Sequence, residues 1–299
     1  MSVISTMEAT PNRVGILYRF LDAQSAPLSQ DSLLSLLSPP SLQPKKATED
    51  DEKEKSSTLA PKTLSECKAL GLVESGPEAG TLQVPAALRG LDQAGLRALL
   101  EQRLTDPAVA AEYGQEHIPY ALAWFLCQSP GYPLAFRENQ AALIEAETGG
   151  RSLELTNFSR FQQLSYWVQY LGLGWQVPTV STGVELVSDP TTALTFHLEP
   201  ILAPSGEMPV REAIEALGRR LPVLETGAAR KELEAWLPDE KQRDENDLSA
   251  STSLALVRLE LRGVLSLEER SDAQAMRLLT WPNTRRVSHL VWKKSPFRR

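Results

Sequence analysis

The chain has 299 residues, of which 42% are hydrophobic and 23% charged, and its formal net charge is −7. That length and composition suit two or three compact units of an ordinary globular protein. The negative balance argues against coating nucleic acid with the whole surface, because phosphate neutralisation dominates such affinity, and leaves DNA contact only to a local patch. The longest apolar run, ALAWFLC at 121–127, falls well short of the ~20 residues of a membrane span. MSVISTMEATPNR lacks the basic start and apolar core of a signal peptide. A cytoplasmic protein with no membrane partner is expected, and Cys67 and Cys127 then read as buried free thiols in a reducing compartment.

RVGILYRFLDAQ (13–24) repeats Val14, Leu17, Tyr18 and Leu21 at helical spacing. SQDSLLSLLS (29–38) predicts a second helix with Ser29 as N-cap, ended by Pro39-Pro40. Residues 41–61 combine mixed charge with almost no apolar content and predict a mobile, disordered insertion. A third helix is expected at 63–72, with Thr63 and Glu66 at capping-box spacing and Gly71 at its end. LVES and TLQV then form a hairpin, which completes a winged helix: three helices with a β wing.

The plan repeats. After a connecting helix at 91–104, helices are expected at 116–128, 136–147 and 156–173, the last with Thr156 as N-cap. The strands WQVPTV and GVELVS follow as a second wing. The last third is a weaker copy: helices at 193–202, 208–221, 229–237 and 251–263, an acidic loop PDEKQRDEND, then strand-like VLSLEERS, AMRLLTW and RVSHLVWKK. The joints CKALGLVES, VQYLGLGWQV and LELRGVLSLEE share the sequence of helix, glycine, strand. The fold class is therefore mainly α with small β wings (α+β), as three tandem winged-helix units at 1–90, 91–189 and 190–299, the last carrying a basic tail.

Catalytic signatures do not emerge. His117, His197 and His289 are far apart, with no partner at metal-ligand spacing, so no metal and no cofactor is expected. There is no Gly-rich phosphate loop, no GxSxG elbow, and no base partner for Cys67. A non-enzyme is the expectation. Nucleic-acid signals are modest. In a helix-turn-helix unit the third helix reads base edges with its N-terminal residues; in the middle unit these are Asn157, Ser159, Arg160 and Gln163, of types that pair with adenine or guanine. An ordinary solvated polar face reads the same way. The first unit offers Ser65, Glu66 and Lys68 there, poor material for a polyanion. In the third, Arg258 and Arg262 lie four apart with Glu260 between them. The clearest asymmetry is WPNTRRVSHLVWKKSPFRR (281–299), with Arg285, Arg286, Lys293, Lys294, Arg298 and Arg299 and no acidic residue. Such a block suits phosphates or an acidic partner protein equally. Trp281, Trp292 and Phe297 suit either base stacking or the core of terminal strands.

TPNRVGILYRFL, NFSRFQQLSYWVQYLGLGWQV and RRVSHLVWKK, together with the winged first unit, resemble the DpdG-like proteins of bacterial 7-deazaguanine-in-DNA (Dpd) gene clusters. The resemblance implies a bacterial cytoplasmic setting, partners among DNA-modifying and helicase or ATPase components, and a part in phage defence. It supplies no catalytic residue. The insertion 41–61 departs from a compact helix-turn-helix connection and speaks against DNA reading by the first unit. The combined expectation is a non-catalytic adaptor contacting DNA and a partner enzyme, with a purely protein-binding structural subunit as the alternative.

Overall fold

Pro11 opens helix α1 (Pro11–Asp22), where a missing N–H leaves no bond unmade, and Val14, Leu17, Tyr18 and Leu21 line its buried face. The computed structural model describes residues 2–37, 51–135, 137, 140–179, 183–279 and 283–293, with backbone alone at 51–58, 179, 183 and 184. Strand β1 (Leu28–Ser29) leads into α2 (Gln30–Leu37), and Ser32 N donates to Ser29 Oγ over 3.2 Å, so Ser29 caps that helix. Helix α3 (Asp51–Ala69) and strands β2 (Glu74–Ser75) and β3 (Thr81–Gln83) follow. β3 lies between β1 and β2, antiparallel to both, with Leu28 opposite Leu82 and Glu74 opposite Gln83.

Two expectations fail in α3. Residues 51–61, expected in a mobile loop, are the first turns of this helix, and Pro61 lies inside it; residues 41–50 of that loop lie outside the described residues. The run Asp51–Lys55 is made largely of Glu and Lys, which favour helix as readily as solvated coil. Thr63 and Glu66 form no capping box. Thr63 Oγ1 donates to Leu59 O one turn back (2.8 Å), and Glu66 is fully buried, accepting from Thr6 Oγ1 (3.0 Å) and Gln115 Nε2 (2.6 Å).

Helices α4 (Gln93–Thr105) and α5 (Pro107–Glu112), capped by Asp92 and Asp106, connect to a second copy of this element order. The copy runs α6 (Ile118–Cys127), β4 (Leu134–Ala135), α7 (Gln140–Glu147), α8 (Phe158–Leu171), β5 (Gly174–Thr179), β6 (Gly183–Ser188), with β6 between β4 and β5. A third copy runs α9 (Thr191–Leu202), β7 (Glu207–Pro209) and α10 (Val210–Arg220), then α12 (Ala250–Leu261), β9 (Leu265–Glu268) and β12 (His289–Trp292), with β12 between β7 and β9. Helix α11 (Ala228–Glu234) and strand β8 (Asp247–Leu248) are inserted before α12; β10 (Met276–Leu278) and β11 (Arg285–Val287) are inserted before β12. These inserted strands make their own sheet, β11-β10-β8, in which β8 runs parallel to β10. The closing RRVSHLVW is thus sheet and not tail.

The order helix, strand, helix, helix, strand, strand therefore occurs three times, each time with the last strand in the middle of its sheet. The same joint follows each third helix. Gly71, Gly172 and Gly263 have φ of 64°, 72° and 70°. The next residue's N–H reaches back across the joint, from Leu72 to Cys67 O, Leu173 to Val168 O and Val264 to Leu259 O. This left-handed cap satisfies the last helical carbonyls and turns the chain into the strand.

A continuous apolar core joins the copies, from Val3 to Leu290. Eight of the ten residues of α6 are buried, as expected of a helix apolar on all sides. It packs against α4, α5 and α8 and also against α11 and α12 of the third copy. Cys67 and Cys127 are free thiols. Among the described residues no helix is long and apolar enough to cross a membrane.

Candidate functional site

The start of α8 gathers the candidate base-reading side chains, and three of the four are engaged within the molecule. Asn157, rather than Thr156, is the N-cap: its side chain accepts from Arg160 N over 3.0 Å. Arg160 is half-buried; its Nη1 donates to Glu154 O (3.1 Å) and lies 3.6 Å from the Glu154 carboxylate. Gln163 is only 2% exposed and donates Nε2 to Thr6 O over 2.6 Å. An inward amide cannot also form a bidentate contact with adenine, so Gln163 is removed from the candidates. Ser159 is half-buried. The segment 2–6 causes this arrangement. Val3 and Ile4 are fully buried; Val3 N donates to Gln115 Oε1 (2.9 Å) and Ser2 Oγ to Glu154 Oε2 (3.1 Å). Glu154 holds a φ of 58°, a conformation that costs a non-glycine residue ~1–3 kcal/mol, and its bonds to Ser2 and Arg160 offset that cost.

The basic C-terminal block is partly neutralised. Arg285 pairs with Glu260 and donates Nη2 to Leu267 O over 2.7 Å. Burial pushes the Glu260 carboxyl up, but the bonds from Arg285 and Leu267 N outweigh it and hold that group below its ordinary value. Arg286 Nε lies 3.0 Å from Glu269 and remains exposed. Lys293 is exposed. Lys294, Arg298, Arg299, Trp281 and Phe297 lie outside the described residues. Trp292 packs against the core. Of the third-unit arginines, Arg258 pairs with Asp189, which also accepts from Trp175 Nε1 (3.1 Å), and Arg262 is exposed.

A third cluster has no signal in the sequence. Glu225, fully buried at φ 43°, pairs with Arg243 and accepts from Ser249 N (3.2 Å) and Ser249 Oγ (2.5 Å). Arg243 Nε meets Glu234 Oε1 (3.1 Å), which also takes buried Arg230 Nε (2.8 Å). Burial pushes the Glu225 carboxyl up, yet Arg243, Arg230 and the neighbouring hydroxyls outweigh it, so the group is held below its usual value. Burial also pushes the Cys127 thiol beside this network up to about 11 and raises Cys67. Both are therefore neutral thiols at neutral pH, without the thiolate that nucleophilic chemistry needs. Arg243 and Ser249 border or lie in the acidic stretch 238–247, whose composition reads as a solvated loop. Among the described residues no three His, Cys, Asp or Glu side chains gather to hold a metal ion.

No curated protein and no solved structure matches the chain. The model of the DpdG-like family matches residues 1–273. RRVSHLVWKK lies beyond that match, so the resemblance rests on the three repeats up to the start of the last inserted strands. The chain belongs to the DpdG-like family, and that membership fits a part in a Dpd DNA-modification system.

Proposed function

We propose that the protein is a non-catalytic adaptor of a Dpd DNA-modification and phage-defence system, built from three winged helices that serve as protein-docking platforms. The thrice-repeated element order, with the last strand central in each sheet, supports the winged-helix assignment. One observation carries the preference for protein contact over DNA reading. A groove-reading third helix must present its first turns to the bases; here Gln163 of α8 is turned inward onto Thr6, although Asn157 stays exposed, and the start of α12 is buried against Glu225. The arginines of the C-terminal strands meet Glu260 and Glu269 as well. DNA contact through Arg286 and Lys293, which are exposed, is the second reading.

The full-length protein tests this by mobility shift of labelled duplex at low ionic strength, beside co-purification with the other proteins of the gene cluster. We expect a co-purifying partner and no salt-sensitive DNA shift. A shift that falls steeply with salt and weakens in Arg286→Ala/Lys293→Ala would replace docking with DNA binding.

A further inference from the structure

A cleft runs between α4, α9 and the C-terminal end of α10. It consists of two adjoining cavities of about 680 and 300 Å³ that share Ala98, Glu101, His197 and Arg220. Ala94 and Ala98 form a small-residue floor on α4. Phe196 stands on the α9 side, 59% exposed, with the Arg97 guanidinium 4.3 Å from its ring centroid. Arg219 and Arg220 lie at the α10 end.

The lining holds three carboxylates, Asp92, Glu101 and Asp106, and three arginines, Arg97, Arg219 and Arg220; what sets it apart from the C-terminal strands is which of them are paired. The carboxylates are held within their own helices or beside near neighbours: Asp92 accepts from Gly95 N (2.7 Å), Asp106 from Ala108 N (3.0 Å), and buried Glu101 lies 2.7 Å from His197 Nε2 and 3.8 Å from Arg97 Nη2. Arg97 is held by Leu171 O (2.8 Å). Arg219 and Arg220 are exposed, and among the described residues neither has an ion pair. Two arginines ending a helix complement its dipole and need no ligand. That role does not explain an exposed phenylalanine and an alanine floor next to them, in a protein of net charge −7.

We infer that this cleft docks an acidic segment of a partner protein, its carboxylates on Arg219 and Arg220 and one large apolar side chain against Phe196 and the Ala94–Ala98 floor. The inference rests on the adaptor function proposed above and names the chemistry of the partner. Helix α4 offers about 20 Å of wall at 1.5 Å per residue, which matches about six residues of extended chain. A nucleotide fits less well, because among the described residues no glycine-rich turn lines the cleft to present backbone N–H groups to phosphate.

The test places the photo-crosslinker p-benzoylphenylalanine at Ala98 of the full-length protein, in cells carrying the rest of the gene cluster, with Leu261, exposed on α12, as a second probe position. The Ala98 probe should capture a partner segment rich in Asp and Glu with a large apolar residue among them. Arg219→Glu/Arg220→Glu should lower that yield about tenfold or more, as reversal of a docking charge does, while lowering the thermal midpoint only slightly through the lost helix-dipole complement. Crosslinks to nucleic acid or to a segment without acidic residues would overturn the inference. So would a partner that co-purifies and crosslinks only at Leu261, or whose capture at Ala98 survives the charge reversal. If no partner co-purifies at all, the adaptor function itself fails and the cleft assignment with it.

Discussion

Helices α8 and α12 hold the same place in consecutive repeats, yet their first turns are anchored by different chemistry. At α8 the anchor is a strap of residues 2–6, held by amides, hydroxyls and the carboxylates of Glu66 and Glu154. At α12 it is a buried ion network in which Glu225 receives Arg243 and the Ser249 cap. The strap ties the first repeat to the second, whereas the network ties the segment leaving α10 to the start of α12 inside the third. At α12 the helix start is buried, whereas at α8 Asn157 and Phe158 stay exposed beside the strap. The difference lies in cost: the strap reaches α8 through a neutral amide–carbonyl bond, Gln163 to Thr6, whose loss is modest, while a buried charge left short of partners loses much.

The largest effect should therefore come from the network. Glu225→Ala leaves Arg243 and buried Arg230 to share the Glu234 carboxylate and should destabilise the fold by about 3 kcal/mol or more, read by denaturant unfolding; a loss below about 1 kcal/mol would show that the network does not anchor α12. The pH dependence has a definite sign. Because the folded carboxyl sits below its ordinary value of 4.5, its stabilisation is present above that value and is lost as pH falls through the folded value. Wild type should lose stability on acidification below about pH 4.5, and Glu225→Gln should flatten that limb.

The glycine joints allow a sharper comparison. A Cβ at Gly172 would lie 2.9 Å from Thr192, whereas at Gly263 it meets nothing within 4 Å, at nearly the same φ. Gly263→Ala should cost about 1–2 kcal/mol for the left-handed backbone alone, and Gly172→Ala should cost more. Equal midpoints for the two variants would break this account of the joint. At the strap, Gln163→Ala should cost about 1–2 kcal/mol and speed amide exchange in residues 2–6; unchanged exchange would mean the strap is held elsewhere. Arg285→Ala should change stability least, by less than about 1 kcal/mol, as a partly exposed ion pair does.

Much of the local structure was legible from residue order. The helices at Pro11–Asp22, Ile118–Cys127 and Phe158–Leu171 follow from apolar spacing, and the three glycine joints from helix-stop chemistry. The strands β1, β4 and β7 were not legible. They have two or three residues each, too few for an alternating pattern to show, although each completes its sheet. Gln163 and Asn157 illustrate the same limit at the candidate site. A polar residue at the start of a helix reads identically whether it faces solvent, caps its own helix or bonds to a distant backbone carbonyl, as Gln163 does to Thr6.

Sequence alone determined the three joints of this protein, where an apolar-spaced helix ends at glycine and a strand follows, because these depend on interactions within about one or two turns of chain. Tertiary structure decided which charges cancel. Glu225 meets Arg243, Glu260 meets Arg285 and Thr6 meets Gln163 across 18, 25 and 157 positions. Such pairings depend on how the core brings distant segments together. That packing, more than the count of basic residues, leaves Arg219 and Arg220 without a partner among the described residues.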